Sequence, residues 1–159
     1  MTRHRGAPKF HVLDRAECEA LLGRHSVGRL AFTFRDRVDI EPIHYVFEDA
    51  RLYGRTQLGT KVSVLAHHPW IAFEVDEIDA LFSWRSVVVH GRVNFPDPDP
   101  DGAPHEQAQF ARGVEVFRRL VPEAFGDGDP TPDRDLVFYI DIDEIEGRAA
   151  TPSTHGGGA

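Results

Sequence analysis

The chain has a single cysteine among its 159 residues, Cys18. An internal disulfide and a cysteine-cluster zinc site are therefore excluded, and a lone thiol fits the reducing cytoplasm, where the protein is expected. No run approaches the roughly 18 apolar residues that a membrane helix needs. The amino-terminal MTRHRGAPKFHVLDR is basic but lacks the apolar stretch of roughly 7–15 residues found in a secretory signal. A basic excess is also missing: 18 Lys and Arg stand against 26 Asp and Glu, a net charge of −8 with histidine neutral. Residues 1–95 hold twelve acids and thirteen bases, whereas residues 96–159 hold fourteen acids and five bases. Neither part supplies the basic stripe that nonspecific nucleic-acid binding requires. Neither GxGxxG nor GxxxxGK[ST] occurs, so the dinucleotide fingerprint and the phosphate-binding P-loop are absent.

At 41% hydrophobic and 28% charged residues, the chain can bury the core of one soluble domain, expected over residues 1–148. A helix is predicted from Asp14 to Gly23. Asp14 is a favourable cap, Glu17 stands three residues on, and Cys18, Leu21 and Leu22 face inward. Strand-like segments follow: GRLAFTF, VDIEPIHYVFE, RLYGRT, WIAFEVDE, WRSVVVHGRVNF and LVFYIDID. Pro69 stops a short helix, KVSVLAHH. PDPDPDGAP cannot continue a strand ladder, and a longer helix is expected over His105–Val121 with Phe110, Val114, Phe117, Leu120 and Val121 on its apolar side. Residues 149–159, closing on ATPSTHGGGA, read as a disordered tail. About six strands with short turns and few helices favour a small antiparallel barrel over a doubly wound sheet.

From Gly28 to Val93 the order GRLAF, EPIHYVF, LYGRTQLGTK, HHPWIAFEVDE, SWRSVVVHGRV resembles the flavin-binding split-barrel family related to pyridoxamine 5′-phosphate oxidase. It is most similar to the smaller branch with nitroimidazole-resistance-like members, and the final EIEGR fits the same family. The resemblance implies a mainly β, six-stranded antiparallel split barrel that forms a homodimer with FMN at the interface. It places Arg55, Thr56, Thr60 and Lys61 at the ribityl phosphate. It places Glu41, Pro42, Ile43 and His44 under the isoalloxazine ring, and Ser86 and Val87 where a strand start meets the ring or ribityl chain. The parent oxidases use basic and aromatic residues near the C-terminus for the pyridoxal substrate. The acidic back third here departs from that pattern.

The implied phosphate site makes chemical sense. A phosphomonoester carries a charge near −2 and wants a bidentate cation, a point cation and several further donors. Arg55 and Lys61 supply charge and Thr56 and Thr60 supply hydroxyls. A helix starting near Thr60 supplies free N–H groups. Removing Arg55 and Lys61 together is therefore expected to leave a folded but colourless protein.

Other residues read more plainly. His67 and His68 lie about 100° apart on a helix end, where they cap the helix without forming a metal pair. His90 reads as a packing residue, Cys18 as a buried apolar thiol, and Glu74 and Asp76 as the polar side of a strand. No catalytic acid, base or nucleophile stands out, as befits an FMN-dependent oxidoreductase whose cofactor does the chemistry on a small-molecule substrate. Non-catalytic binding of a flavin, a deazaflavin or haem, with His44 the candidate for haem, is the alternative the resemblance leaves open.

Overall fold

The protein is described from a computed structural model over residues 6–153. In chain order its elements are β1 (Lys9–Leu13), α1 (Arg15–Arg24), β2 (Val27–Phe34), β3 (Arg37–His44), β4 (Val46–Glu48) and β5 (Arg51–Thr56). They continue with α2 (Thr60–His67), β6 (Trp70–Ala80), β7 (Ser83–Asn94), α3 (Pro104–Phe117) and β8 (Leu136–Thr151). The strands form one antiparallel sheet in the order β3-β2-β6-β7-β8-β5-β4, with β1 added to β8. The architecture is the expected split barrel, with eight strands among the described residues in place of six.

The two additional strands have separate causes. Tyr45 breaks VDIEPIHYVFE in two by turning inward, where it is 1% exposed. Its hydroxyl donates to the Leu22 carbonyl at 2.6 Å, and its ring meets Phe73 edge-on at 4.9 Å. β1 is the other addition. KFHVL leaves four of its five residues exposed, so only its pairing with β8 makes it a strand. That pairing, with β7 on the other side, carries β8 through Thr151 with Ala149 and Ala150 buried, which corrects the tail expected from residue 149. Residues 154–159 of the expected tail lie outside the described residues, as do residues 1–5.

The interior follows strand alternation. Leu30, Phe32, Phe73, Val75, Val87, Val89 and Ile140 are buried. The polar neighbours of this row, including Glu74 and Asp76, take the other face.

α1 begins with the expected capping box: the Glu17 N–H donates to Asp14 Oδ1 at 2.8 Å and the Asp14 N–H to Glu17 Oε2 at 2.9 Å. Cys18, Leu21 and Leu22 are buried as expected. The glycine of EIEGR lets α1 come close, because a Cβ on Gly147 would lie 2.5 Å from Cys18 Sγ. α3 ends at Phe117, earlier than Val121, and buries Gly113, Val116 and Phe117. Phe110 and Val114 are only half-buried, and Phe110 packs across to Phe125 with ring centroids 6.3 Å apart.

Candidate functional site

The split of the barrel opens a cleft of about 360 Å³ between β3 and the end of β5. β3 is an edge strand, which is why Pro42 is tolerated in it. The cleft runs along that free edge, so Glu41, Pro42, Ile43 and His44 all border it. Arg55 and Thr56, at the end of β5, and Lys61, in the first turn of α2, form the other wall. Seven of the ten residues expected at a cofactor therefore converge.

The remaining three do not line the cleft. Thr60 is exposed at the start of α2. Val87 is a core residue with no exposed surface. Ser86 lies on the other face of β7, donating its hydroxyl to Glu74 Oε2 at 3.0 Å.

The charges of the cleft are paired. Lys61 Nζ donates to Glu41 Oε2 at 2.7 Å, tying α2 to β3, with side chains 24% and 44% exposed. Gly59 caps α2 without any side-chain hydrogen bond, which leaves the first-turn N–H groups uncapped, as expected. Arg55 differs from expectation. Its Nη1 and Nη2 donate to Asp129 Oδ2 and Oδ1 at 2.6 and 2.8 Å, and Nη2 also donates to Thr131 Oγ1 at 2.6 Å. The guanidinium sits 5.0 Å from the Phe125 ring centre and 5.3 Å from that of Phe117. Its bidentate fork is filled by the loop before β8. The Arg55 guanidinium, with the Thr131 and Phe125 N–H groups, holds the Asp129 carboxyl far below the usual carboxylate range.

Sequence reasoning missed Arg134, Gln57 and Val27, which also line the cleft. Arg134 is an exposed arginine between Asp133 and Asp135 in a loop of charge and turn residues, where no periodicity could single it out. His67 and His68 behave as the sequence expects: His67 Nδ1 is 2.9 Å from the Ser63 carbonyl, and the His68 N–H donates to Val64. Burial pushes the Cys18 thiol up, further from a reactive thiolate.

The outer face of β3, β2, β6 and β7 continues from the cleft. It exposes Val38, Ile40 and Trp70 at 69%, 66% and 63%, more than scattered surface apolar residues require. Within it, Arg29 lies 3.9 Å from both Glu74 and Asp76. Burial, with Asp76 beside it, pushes the Glu74 carboxyl up. Among the described residues no group of three or more His, Cys, Asp or Glu side chains is placed to hold a metal ion, and no helix is long and apolar enough to cross a membrane.

Comparison with known proteins agrees with this geometry. The family model described as pyridoxamine 5′-phosphate oxidase matches residues 14–149. An uncharacterised protein of Rhizobium meliloti is 29% identical over 147 residues, covering 87% of this chain and 94% of that protein. An FAD-binding protein from Mesorhizobium loti superposes with a TM-score of 0.68 at 26% identity, covering 89% of this chain and 98% of that one. A structure from Bacteroides thetaiotaomicron, assigned as a candidate 5-nitroimidazole antibiotic resistance protein, also gives 0.68 at 16% identity, over 92% and 91% of the two chains, and shows the same fold. With a family match spanning most of its length and a barrel split at the expected place, the chain belongs to the pyridoxamine 5′-phosphate oxidase family of split barrels.

Proposed function

We propose that the protein binds FMN in the cleft between β3 and β5 and uses it as a flavin-dependent oxidoreductase on a small molecule. The observation that carries this reading is the cleft itself. Lys61 and the uncapped start of α2 meet the β3 edge segment Glu41–His44 in a space walled by Thr56 and Arg55. This donor set fits a flavin tail: a cation, a hydroxyl and free N–H groups stand at one end, and a polar strand edge lies beside it. Membership of the family and the likeness to a protein called FAD-binding support a flavin.

When bound, the flavin supplies hydride or electron transfer. The chain's own residues bind and orient. Lys61 and Thr56 hold the phosphate, while Glu41, Pro42, Ile43 and His44 border the ring. Arg55 braces the wall behind them. The exposed apolar face running from Val38 and Ile40 to Trp70 supports a homodimer in which a second copy covers the open side of the cleft.

The test is reconstitution of the purified protein with FMN, a visible spectrum, and a measurement of sedimentation. Retention of one flavin per chain, reduction by NADH or NADPH, and a dimer are expected. A protein that refuses FMN overturns the cofactor. One that holds FMN but is neither reduced nor reoxidised is a binding protein and overturns the enzymatic part. A Soret band on adding haem, lost in His44→Ala, assigns the cleft to haem instead.

A further inference from the structure

We propose that Arg134 grips the phosphate end of the bound flavin, and that the segment Phe125–Arg134 is a braced strap that delivers it to the cleft. This rests on the flavin reading above. Among the described residues, the cleft's other two cations are already matched to carboxylates, Lys61 to Glu41 and Arg55 to Asp129. Arg134 lines the same cleft and, among the described residues, makes no ion pair or side-chain hydrogen bond, even with Asp133 and Asp135 on either side of it in sequence. The lining charges with their partners therefore leave one positive charge over, and that charge is Arg134's.

Its placement is built into the loop. Asp129 is the hub: it accepts the Phe125 and Thr131 N–H groups at 2.8 and 2.9 Å while clamping the Arg55 fork from the other side. The Arg134 N–H donates to the Thr131 carbonyl at 3.1 Å, and its own carbonyl lies 3.5 Å from Arg55 Nη1. Both of Arg134's own contacts use its backbone, so its guanidinium stays available. A fork held at the mouth by a rigid loop suits a phosphomonoester, which accepts two parallel N–H bonds. Arg55, spent on Asp129, is a positioning residue for this grip.

The test compares FMN with riboflavin, which has the same ring and ribityl chain but no phosphate, by quenching of flavin fluorescence, with inorganic phosphate as competitor. In the wild type FMN is expected to bind more tightly than riboflavin, and phosphate is expected to displace FMN. Arg134→Ala keeps the backbone contacts and should fold. It is expected to lose about tenfold in FMN affinity, a size typical of one charge-assisted bond, with riboflavin binding unchanged. Arg134→Lys, which keeps the charge without the fork, should fall between. An Arg134→Ala protein that binds FMN as the wild type does, or loses FMN and riboflavin equally, overturns the assignment to Arg134 and leaves the flavin reading standing. A wild type that binds neither flavin overturns both.

Discussion

Arg55 and Asp129 face each other across 74 residues of sequence through two parallel hydrogen bonds of 2.6 and 2.8 Å, with side chains only 3% and 4% exposed. A buried pair of this kind is costly to break by halves, because the surviving charge is left without a partner in a poorly solvated place. The sequence treats Arg55 as a phosphate ligand, whose loss together with Lys61 is expected to leave a folded but colourless protein. Its buried pairing with Asp129 adds an expected effect on stability. Arg55→Ala strands the Asp129 carboxylate and loosens the loop that carries Arg134, so a lower urea midpoint is expected before any change in flavin binding is read. Replacing both partners with apolar residues, Arg55→Met with Asp129→Leu, should be less harmful than Arg55→Ala alone. A double variant less stable than the single one would show that the bonds Asp129 accepts from the Phe125 and Thr131 N–H groups outweigh the stranded charge.

Glu41 and Lys61 present the opposite case, a partly exposed pair 2.7 Å apart that borders the cleft. Any anion that binds Lys61 competes with Glu41 for it. Glu41→Gln keeps the shape of the side chain and removes the competitor. Partly exposed pairs contribute about 0.2–1 kcal/mol, so FMN affinity should rise by roughly 1.4- to fivefold relative to riboflavin affinity. Titration of both flavins by fluorescence reads this directly. A fall in FMN affinity would mean that Glu41 orients Lys61 instead of occupying it.

Gly28, the first residue of GRLAF, sits under the ring of Phe73. A Cβ at this position would come within 2.1 Å of Phe73 Cζ, and Phe73 itself has no exposed surface. Gly28→Ala is expected to cost about 1–3 kcal/mol by overpacking, measured as a shift in chemical denaturation midpoint at constant slope. The same change in a Phe73→Leu background should cost clearly less, because the ring that collides is gone. Additive costs would locate the strain in the backbone.

What could be read before folding was whatever depended on local pattern. The Asp14–Glu17 capping box, the inward Cys18, Leu21 and Leu22, and the alternation of Phe73 and Val75 with Glu74 and Asp76 are all short-range signals, and each is present. The strand edge Glu41–His44 and the Lys61 turn came from a run of motifs in order, and they do meet in one cleft. What escaped was non-local. β1 exists only because β8 is there to pair with, Tyr45 turns in because Leu22 offers a carbonyl, and Asp129 finds Arg55 only after the barrel has closed. Ser86 and Val87 lie apart from this cleft. Neighbours on a strand point to opposite faces, and here one lies in the core while the other bonds Glu74.

Glu77, near the far end of β6, gives the protein a defined acid sensitivity. Arg24 at the end of α1 holds it through two hydrogen bonds, one from Nε and one from Nη2 at 3.0 Å, and His25 Nε2 lies 2.5 Å away. The Arg24 guanidinium is the larger cause and His25 the smaller, and together they bring the Glu77 carboxyl down from 4.5 to about 2. A carboxyl whose folded pKa is depressed stabilises the fold above its unfolded value, and that contribution fades as pH falls toward the folded value. The stabilisation is thus fully present above about pH 5 and is lost between about pH 4.5 and pH 2. Because these side chains are 43%, 34% and 25% exposed for Arg24, His25 and Glu77, solvent screening limits the effect to about 1 kcal/mol. Glu77→Gln should lower the thermal midpoint at pH 7, with the gap to the wild type closing by pH 2. A gap that persists unchanged down to pH 2 would show that Glu77 holds α1 to β6 by packing, with its charge playing no part.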